Sequence, residues 1–299
     1  MKCWLWMVLI VLLGCRSAPI TGRKQLLVLP EQQELTLGTT AFQDVVAKEP
    51  PSTNQRNIEL VSRVGQRIAA VAERPDFQWE FRVIASPTQN AFCLPGGKVA
   101  VYEGILPICQ NEAGLAVVMS HEIGHALARH GGERISQGYA VEAGKQLVSY
   151  VTRTTAQQQK DMILKGYGVG SQYGVILPYS RKHESEADHI GVILMAKAGY
   201  NPEEAPRFWN RFGASHTGSQ PVEFMSTHPS DQRRSQELAL LLPEAMQYYG
   251  SAPNKYGLGE LIDARQPANT EPLAGQASTS QLLPISAPAI PPTSGSMPR

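Results

Sequence analysis

The stretch that decides the fold is "SHEIGHALARH", residues 120–130, which contains an H-E-x-x-H sequence. Residues four apart lie on one face of an α-helix, one turn above each other, so His121 and His125 can bind the same metal ion. Glu122, beside the first histidine, can reach a water molecule held by that ion. This spacing predicts a catalytic metal site if the surrounding sequence supplies its other parts.

The third metal ligand is predicted downstream, because a catalytic zinc site usually has three protein ligands and one open position for water. In "RKHESEADHIG", residues 181–191, Glu184 and Asp188 are four apart and share one face of a predicted helix. Glu184 is predicted to bind the metal and Asp188 to accept a hydrogen bond from a ligand imidazole. Glu186 lies between them and is predicted to point elsewhere. The alternative is a charged helix face without a metal.

Hydrophobic spacing places this motif in a mostly helical domain. Apolar residues three and four apart predict helices, which are expected to begin near Pro30 and to cover about 55–73, 111–130, 134–152, 180–198, a segment after Pro202 and a last segment that ends near Pro243. Strands are predicted in "QWEFRVIAS" and on both sides of the Pro95-Gly96-Gly97 turn. Gly131 and Gly132 are expected to end the motif helix. The predicted fold class is mainly α with a small β-sheet (α+β).

The N-terminus, residues 1–14, reads "MKCWLWMVLIVLLG". Its apolar run from Trp4 to Leu13 is too short to span a bilayer and suits the core of a secretory signal peptide. The run ends in an aliphatic residue, a small residue and Cys15, which resembles the lipobox of bacterial lipoproteins. That resemblance implies lipid on Cys15 and a membrane-anchored protein. The periplasmic face of a bacterial membrane is expected; by the same resemblance, Arg16 rather than Asp after the cysteine favours the outer membrane, and the inner membrane is the alternative.

The rest of the chain is expected to form an anchor and linker at 15–29 and one domain at 30–250. Hydrophobic residues make up 42% of the 299 residues, enough for a substantial core. The formal net charge is +1 and there is no long basic run, so a nucleic-acid partner is not expected. Residues 251–299 are predicted to be a disordered tail, because the chain from Gln266 is rich in Pro, Ser and Ala.

Several other reactive side chains are interpreted as structural. His130 lies five residues past His125, off the metal-binding face, and His183 is interpreted as an ordinary helix residue. Cys93 and Cys109 can form a disulfide in an exported protein, but two cysteines alone do not give the geometry of a bridge. Both the bridge and two free thiols therefore remain open.

Together these motifs resemble the gluzincin family of zinc metallopeptidases, which includes HtpX and the CAAX prenyl endopeptidases. Within this family, the sequence most resembles the exported, BepA-like branch of bacterial lipoproteins. H-E-x-x-H followed by E-x-x-x-D carries the resemblance, with four further stretches: "TGRKQLLVLPEQQELTLG", "NAFCLPGGKVAVYEGIL", "LPYSRKHESEADHIGVILMAKAGYNP" and "STHPSDQRR". It covers about residues 20–242 and implies a zincin-like metalloprotease domain, here without a transmembrane helix.

The resemblance also implies a set of catalytic roles. It implies that His121, His125 and Glu184 bind one Zn²⁺ per chain. Glu122 is then the general base in peptide-bond hydrolysis. The expected activity is that of a zinc metalloendopeptidase, and its partners are polypeptide substrates, chiefly misfolded or unassembled envelope proteins.

Two further segments have expected roles near the substrate cleft, the first of them by resemblance to the family. Asn90, Ala91 and Phe92 are expected to belong to a strand that borders the substrate cleft, where an extended peptide adds through main-chain hydrogen bonds. An ordinary hairpin is the alternative for that segment. Residues 166–174 contain four glycines, which predict a flexible loop, and this loop can move with His228 as a lid.

A histidine near the end of the domain has three possible roles. His228 precedes Pro229, which favours an extended backbone at the histidine. His228 can fill the fourth metal position and keep the enzyme resting, donate to the oxyanion, or only cap the following helix. Arg233 and Arg234 are further candidates for the oxyanion donor.

Two functions of other classes remain as alternatives. A catalytically silent chaperone or assembly scaffold could have the same fold, but the intact Glu122 argues against it. A hydrolase of the deformylase kind also uses H-E-x-x-H and would need Cys109 as a ligand. The E-x-x-x-D sequence and the export signal argue against that function.

Overall fold

The computed structural model describes residues 15–155, 177–214 and 232–262, with the single residues 157, 159, 162, 224 and 228 between them. The strands are β1 (Cys15–Ser17), β2 (Lys24–Leu26), β3 (Glu80–Ile84), β4 (Ala91–Leu94) and β5 (Lys98–Tyr102). The helices in these ranges are α1 (Glu31–Lys48), α2 (Gln55–Ala69), α3 (Leu106–Cys109), α4 (Glu112–Leu127), α5 (His130–Val151), α6 (Leu177–Lys197), α7 (Glu204–Ala214) and α8 (Gln232–Ser251). The predicted α+β class is confirmed.

Three predictions concern residues outside the described ranges. They are the signal peptide at 1–14, the loop at 166–174 and the tail beyond residue 262. Among the described helices, none is both long enough and apolar enough to cross a membrane.

The sheet that carries the Pro95-Gly96-Gly97 turn has the strand order β3-β5-β4. β5 is parallel to β3 and antiparallel to β4, and every residue of β5 is buried. A central strand covered on both faces needs apolar side chains on both, which explains the nearly continuous sequence "KVAVY". The three predicted strands are therefore found, and β4 lies at one edge of this sheet.

The core of the domain is built on the contact between α4 and α6. Every residue of α4 is buried, including those of the H-E-x-x-H sequence. A Cβ atom on Gly124 would lie 3.0 Å from the carbonyl oxygen of Ala187, and one on Gly191 would lie 3.0 Å from the backbone nitrogen of His121. The two glycines therefore let the helix backbones approach closely. This approach brings the histidines of α4 next to the carboxylates of α6.

The predicted end of the motif helix at Gly131 and Gly132 is wrong. α4 ends at Leu127, and α5 begins at His130 after a sharp turn in which Arg129 has φ 55°. The Arg129 side chain is held by an ion pair with Glu34 at 2.6 Å, which stabilises this unusual backbone conformation. Gly132 is needed for packing instead, since a Cβ there would overlap the Glu34 carboxylate.

The predicted end of the last helix near Pro243 is also wrong, because α8 continues to Ser251. Proline removes one intrahelical hydrogen bond, to the carbonyl four residues earlier. Both Pro243 and Ala239 are exposed, so water can bond to the freed carbonyl. Leu238 and Ala245 are buried and hold the helix against the domain on both sides of the proline.

Residues on both sides of the predicted domain, 30–250, contact other parts of the chain. At the C-terminal end, the Glu112 N–H donates to the Glu260 carbonyl at 2.9 Å, and the Ile262 N–H donates to the Gln110 carbonyl at 2.8 Å. At the N-terminal end, β1 and β2 form an antiparallel hairpin in which Cys15 pairs with Leu26. The Gln25 side chain of this hairpin donates to the Ala128 carbonyl, so both terminal segments are bound to the domain.

Candidate metal centre

Side chains from α4, α6 and the segment before α8 converge on one point. The metal-binding atoms of His121, His125, Glu184 and His228 all lie within 4.8 Å of one another. His121 Nε2 is 3.2 Å from His125 Nε2 and 3.3 Å from Glu184 Oε2, and His125 Nε2 is 3.4 Å from Glu184 Oε1. The three residues predicted as ligands are therefore brought together. Their side chains and that of His228 are buried.

The spacing of these atoms fits a tetrahedral zinc ion. Ligands about 2.0–2.1 Å from a tetrahedral metal are about 3.3–3.4 Å from each other. The His228 Nδ1 atom lies 3.2 Å from His121 Nε2 and 3.0 Å from Glu184 Oε2, which makes it a candidate fourth ligand. Glu184 Oε1 is buried without a hydrogen-bond partner among the described residues, as expected for an atom that faces a metal. The donor set of three imidazoles and one carboxylate is one that zinc prefers.

Glu122 lies beside the cluster and not within it. Its Oε1 atom is 3.4 Å from His228 Nε2 and has no hydrogen-bond partner among the described residues. Burial raises the pKa of the Glu122 carboxyl to about 7, although the neighbouring His228 and Arg234 oppose this rise. A carboxylate with a pKa near neutrality is well matched to accepting and returning a proton.

Asp188 holds the first histidine from behind. Its Oδ1 atom is 3.0 Å from His121 Nδ1, so Nε2 of the same ring faces the cluster. Arg234 donates to both oxygens of Asp188, at 2.8 and 2.7 Å, and its guanidinium lies 3.5 Å above the Trp209 ring. Arg234 is therefore buried against the partner of His121, whereas Arg233 is exposed.

His130 contacts His125 directly, although the sequence led to its interpretation as a structural residue. Its Nδ1 atom is 2.8 Å from His125 Nδ1, and its Nε2 atom is 2.9 Å from Glu186 Oε2. Burial lowers the pKa of His130 to about 4, against the opposing effect of Glu186. Glu186 does point away from the cluster, as predicted, but it supports the second histidine through His130.

β4 borders this site along its free edge. Among the described residues it pairs only with β5. The Tyr102 N–H donates to the Asn90 carbonyl at 3.0 Å, so the alternate residue Phe92 also faces β5, while the backbone groups of Ala91 and Cys93 face the open edge. β4 packs against α4, the helix that carries Glu122. Burial and then the charge of Glu122 raise the pKa of the Cys93 thiol.

The two cysteines of the domain are free and buried. The sequence left open either a disulfide or two free thiols, and the structure has two free thiols. Cys109 lies at the end of α3 and is not part of the metal-binding cluster. Its thiol has a raised pKa because it is buried, which disfavours the thiolate that would bind zinc. This position removes the basis for a site of the deformylase kind.

Comparison with known proteins identifies the family. Residues 54–241 match the model of Peptidase family M48. They contain both the H-E-x-x-H helix and the E-x-x-x-D helix. The chain belongs to peptidase family M48. This membership confirms the predicted enzyme class, that of a gluzincin metallopeptidase. A zinc cofactor follows from the family, and the cluster around His121 is the group of residues that can hold it.

The relatives of this M48 peptidase include mitochondrial and bacterial proteases. The mitochondrial metalloendopeptidase OMA1 of Schizosaccharomyces pombe is 38% identical over 232 residues, which cover 76% of this chain and 66% of that protein. The OMA1 of Saccharomyces cerevisiae is 32% identical over 252 residues, 78% of this chain and 70% of its own length. The beta-barrel assembly-enhancing protease of Yersinia pestis is 27% identical over 220 residues, 72% of this chain and 45% of its own length.

These identities change one expectation about the M48 peptidase. The two yeast OMA1 enzymes are more similar to it than the Yersinia pestis protease is. The expected greatest likeness to the exported bacterial branch is therefore not supported. The chain also spans about two thirds of the yeast relatives and less than half of the bacterial one. Its lipoprotein nature and location remain proposals.

Proposed function

We propose that this M48 peptidase is a zinc-dependent endopeptidase that is tethered to a bacterial membrane by lipid on Cys15. Its proposed substrates are misfolded or unassembled proteins of the cell envelope. The observation that carries the proposal is the tetrahedral spacing of the His121, His125 and Glu184 ligand atoms, with the unbonded Glu122 carboxylate beside them.

The proposed chemistry divides between the metal and the chain. When bound, zinc supplies Lewis acidity, which polarises the scissile carbonyl and lowers the pKa of a bound water to about 7. Glu122 accepts the proton of the attacking water at its free Oε1 atom and passes it to the leaving amine. Asp188, itself fixed by Arg234, keeps His121 in the orientation that directs Nε2 to the cluster.

The proposed mode of substrate binding uses the edge of β4. An extended peptide can add to an open strand through main-chain hydrogen bonds, and this mode selects unfolded chains more than particular side chains. The carbonyl of Ala91 and both backbone groups of Cys93 face that edge. The Ala91 N–H is already bonded to the Asn90 side chain at 2.9 Å. Among the three residues expected here, Ala91 is therefore the proposed contact, whereas Asn90 and Phe92 bond to β5.

Casein cleavage tests the proposed activity. The purified protein with zinc is expected to cleave casein, a chelator is expected to stop cleavage, and added zinc is expected to restore it. The readout is the appearance of casein fragments over time. A protein that binds zinc but leaves casein intact would instead support the chaperone or scaffold. Cleavage that continues unchanged in chelator would contradict the zinc mechanism.

The proposed anchor is tested by Cys15→Ser. The variant is expected to leave the membrane fraction or to retain its signal peptide, because no lipid can be attached to serine. The readout is the distribution of the protein between membrane and soluble fractions. Cys3→Ser is the matched control, since Cys3 belongs to the expected signal peptide, and this variant should remain in the membrane fraction. A processed Cys15→Ser protein that stays membrane-bound would contradict the lipid anchor.

The proposed resting state depends on His228, whose Nδ1 atom occupies the fourth corner of the cluster. A ligand in that position displaces the water needed for hydrolysis. His228→Ala is therefore expected to raise casein turnover per zinc-loaded molecule, by about tenfold if the open state is about 10% populated in the wild type. A loss of about 10²-fold would identify His228 as an oxyanion donor instead. Unchanged turnover with a lower melting temperature would leave it as a helix cap.

A further inference from the structure

Arg23, in the turn between β1 and β2, joins two buried carboxylates behind the metal centre. Its Nε atom donates to Glu186 Oε2 at 2.7 Å, and its two terminal nitrogens donate to Glu133 at 3.0 and 2.6 Å. The Arg23 side chain is 22% exposed, whereas those of Glu133 and Glu186 are 2% and 4% exposed. Thr21, on the same turn, donates a hydrogen bond to Glu186 as well. The N-terminal hairpin is thus fixed to both α5 and α6.

One set of contacts runs from Arg23 to a proposed metal ligand. Glu186 Oε2 lies 2.9 Å from His130 Nε2, and His130 Nδ1 lies 2.8 Å from His125 Nδ1. His125 can bind a metal through Nε2 only if its hydrogen is on Nδ1. That hydrogen is then donated to His130 Nδ1, so the His130 hydrogen must be on Nε2 and is donated to Glu186. The hydrogen bonds of Glu186 therefore set the tautomers of both rings.

A second set of contacts leads to the other side of the cluster. Glu133 Oε2 lies 2.9 Å from His183 Nε2, and His183 immediately precedes the proposed ligand Glu184 on α6. The His183 and His130 rings are stacked at 4.1 Å with 13° between their planes. Arg23 therefore bridges the two carboxylates that bond to the two members of this stacked pair. Without it, two buried negative charges would lack their shared cation.

We propose that Arg23 is a positioning residue for the metal centre, and that the β1–β2 hairpin is a part of the site that supports His125. The inference rests on the proposed zinc-dependent function. Gln25 of β2 strengthens the link, because its side chain donates to the Ala128 carbonyl in the turn between α4 and α5. The hairpin begins at Cys15, so the segment that leads from the proposed anchor also supports the metal site.

The test is zinc affinity, measured by competition with a chromophoric chelator on the full chain. Arg23→Ala is expected to weaken zinc binding by about 10–100-fold, the usual effect of losing a group that supports a ligand. The visible spectrum of the cobalt-substituted protein is expected to change with it. Arg56→Ala is the matched control, since Arg56 makes a comparable ion pair with Glu260 on the exposed surface, and it should change neither readout.

Two further variants separate positioning from general stability. Arg23→Lys keeps the charge but cannot span both carboxylates, so its zinc affinity should lie between those of the wild type and Arg23→Ala. This variant also serves if Arg23→Ala does not fold. In the double variant Arg23→Ala/Glu186→Gln, the losses are expected to be less than additive, because Arg23 acts partly through Glu186.

The outcomes distinguish this inference from the proposed function. A wild-type protein that binds no zinc would overturn both. If the wild type binds zinc and the folded Arg23→Ala and Arg23→Lys proteins bind it equally well, with an unchanged cobalt spectrum, only the role of Arg23 is overturned. Strictly additive losses in the double variant would also overturn it, since the two residues would then act independently.

Discussion

Replacing Glu184 with alanine is expected to remove zinc from the protein and to abolish detectable proteolysis. Glu184 supplies the one carboxylate in a cluster with three imidazoles, and its two oxygens lie within 3.4 Å of three histidine nitrogens. Loss of that charge should weaken zinc binding by more than the roughly 10–100-fold that removal of an outer partner costs. The measurement is the zinc-to-protein ratio after dialysis, together with casein cleavage.

Glu186→Ala is the matched control for this prediction. Glu186 is on the same helix, has the same charge and is just as buried, but its oxygens contact His130 and Arg23 and not the cluster. The variant should retain zinc after dialysis, although with lower affinity. If Glu186→Ala lost the metal and Glu184→Ala retained it, the choice of the carboxylate ligand would be wrong.

The core of the site was predictable because it depends on spacing within single helices. His121 and His125 share a face of α4, and Glu184 and Asp188 share a face of α6, whatever the rest of the chain does. The meeting of these two faces depends on the glycines at the helix contact. Their role follows only from the distances between the backbones.

The role of His130 was not predictable from the same spacing. Five residues along a continuous helix, it would point away from the metal-binding face. The helix ends at Leu127, however, and the left-handed conformation of Arg129 turns the chain so that His130 comes back to His125. The turn depends on a distant partner, Glu34, which local propensity does not reveal. A helix boundary was therefore the point at which the sequence argument failed.

The contacts of the terminal segments also depend on distant partners. The hairpin around Arg23 lies in the mostly polar stretch "RSAPITGRKQ", and the segment up to Ile262 contains Pro253, Gly257 and Gly259, features typical of linkers. Both are held instead by backbone hydrogen bonds and ion pairs to distant parts of the chain, such as those of Glu260 with Arg56 and Arg63. Such long-range pairs leave no periodic pattern in the sequence.

The second large effect is expected from Glu122→Gln, which should lower casein turnover by about 10³-fold or more while zinc stays bound. A positioned general base contributes about 10²–10⁴-fold to such a rate, and glutamine cannot accept a proton from water. Zinc should be retained, because Glu122 is not among the residues whose ligand atoms form the cluster. The measurements are turnover and the zinc-to-protein ratio of the same preparation.

The stability of this variant separates a catalytic carboxylate from a structural one. Burial raises the pKa of Glu122, so the folded state disfavours its charge, and above that pKa the charged side chain lowers the free energy of unfolding. Glutamine has the same shape without the charge, and the melting temperature should therefore not fall by more than about 4 °C.

Glu59→Gln is the control for the general effect of removing a carboxylate, since Glu59 is exposed and its carboxylate accepts a hydrogen bond from its helical neighbour Gln55. Its turnover should equal that of the wild type. A Glu122→Gln protein with full turnover would contradict the role of general base. A Glu122→Gln protein that unfolds or loses zinc would show that this carboxylate is held in the core for structure, because a base that only moves protons can be replaced by its amide without loss of either.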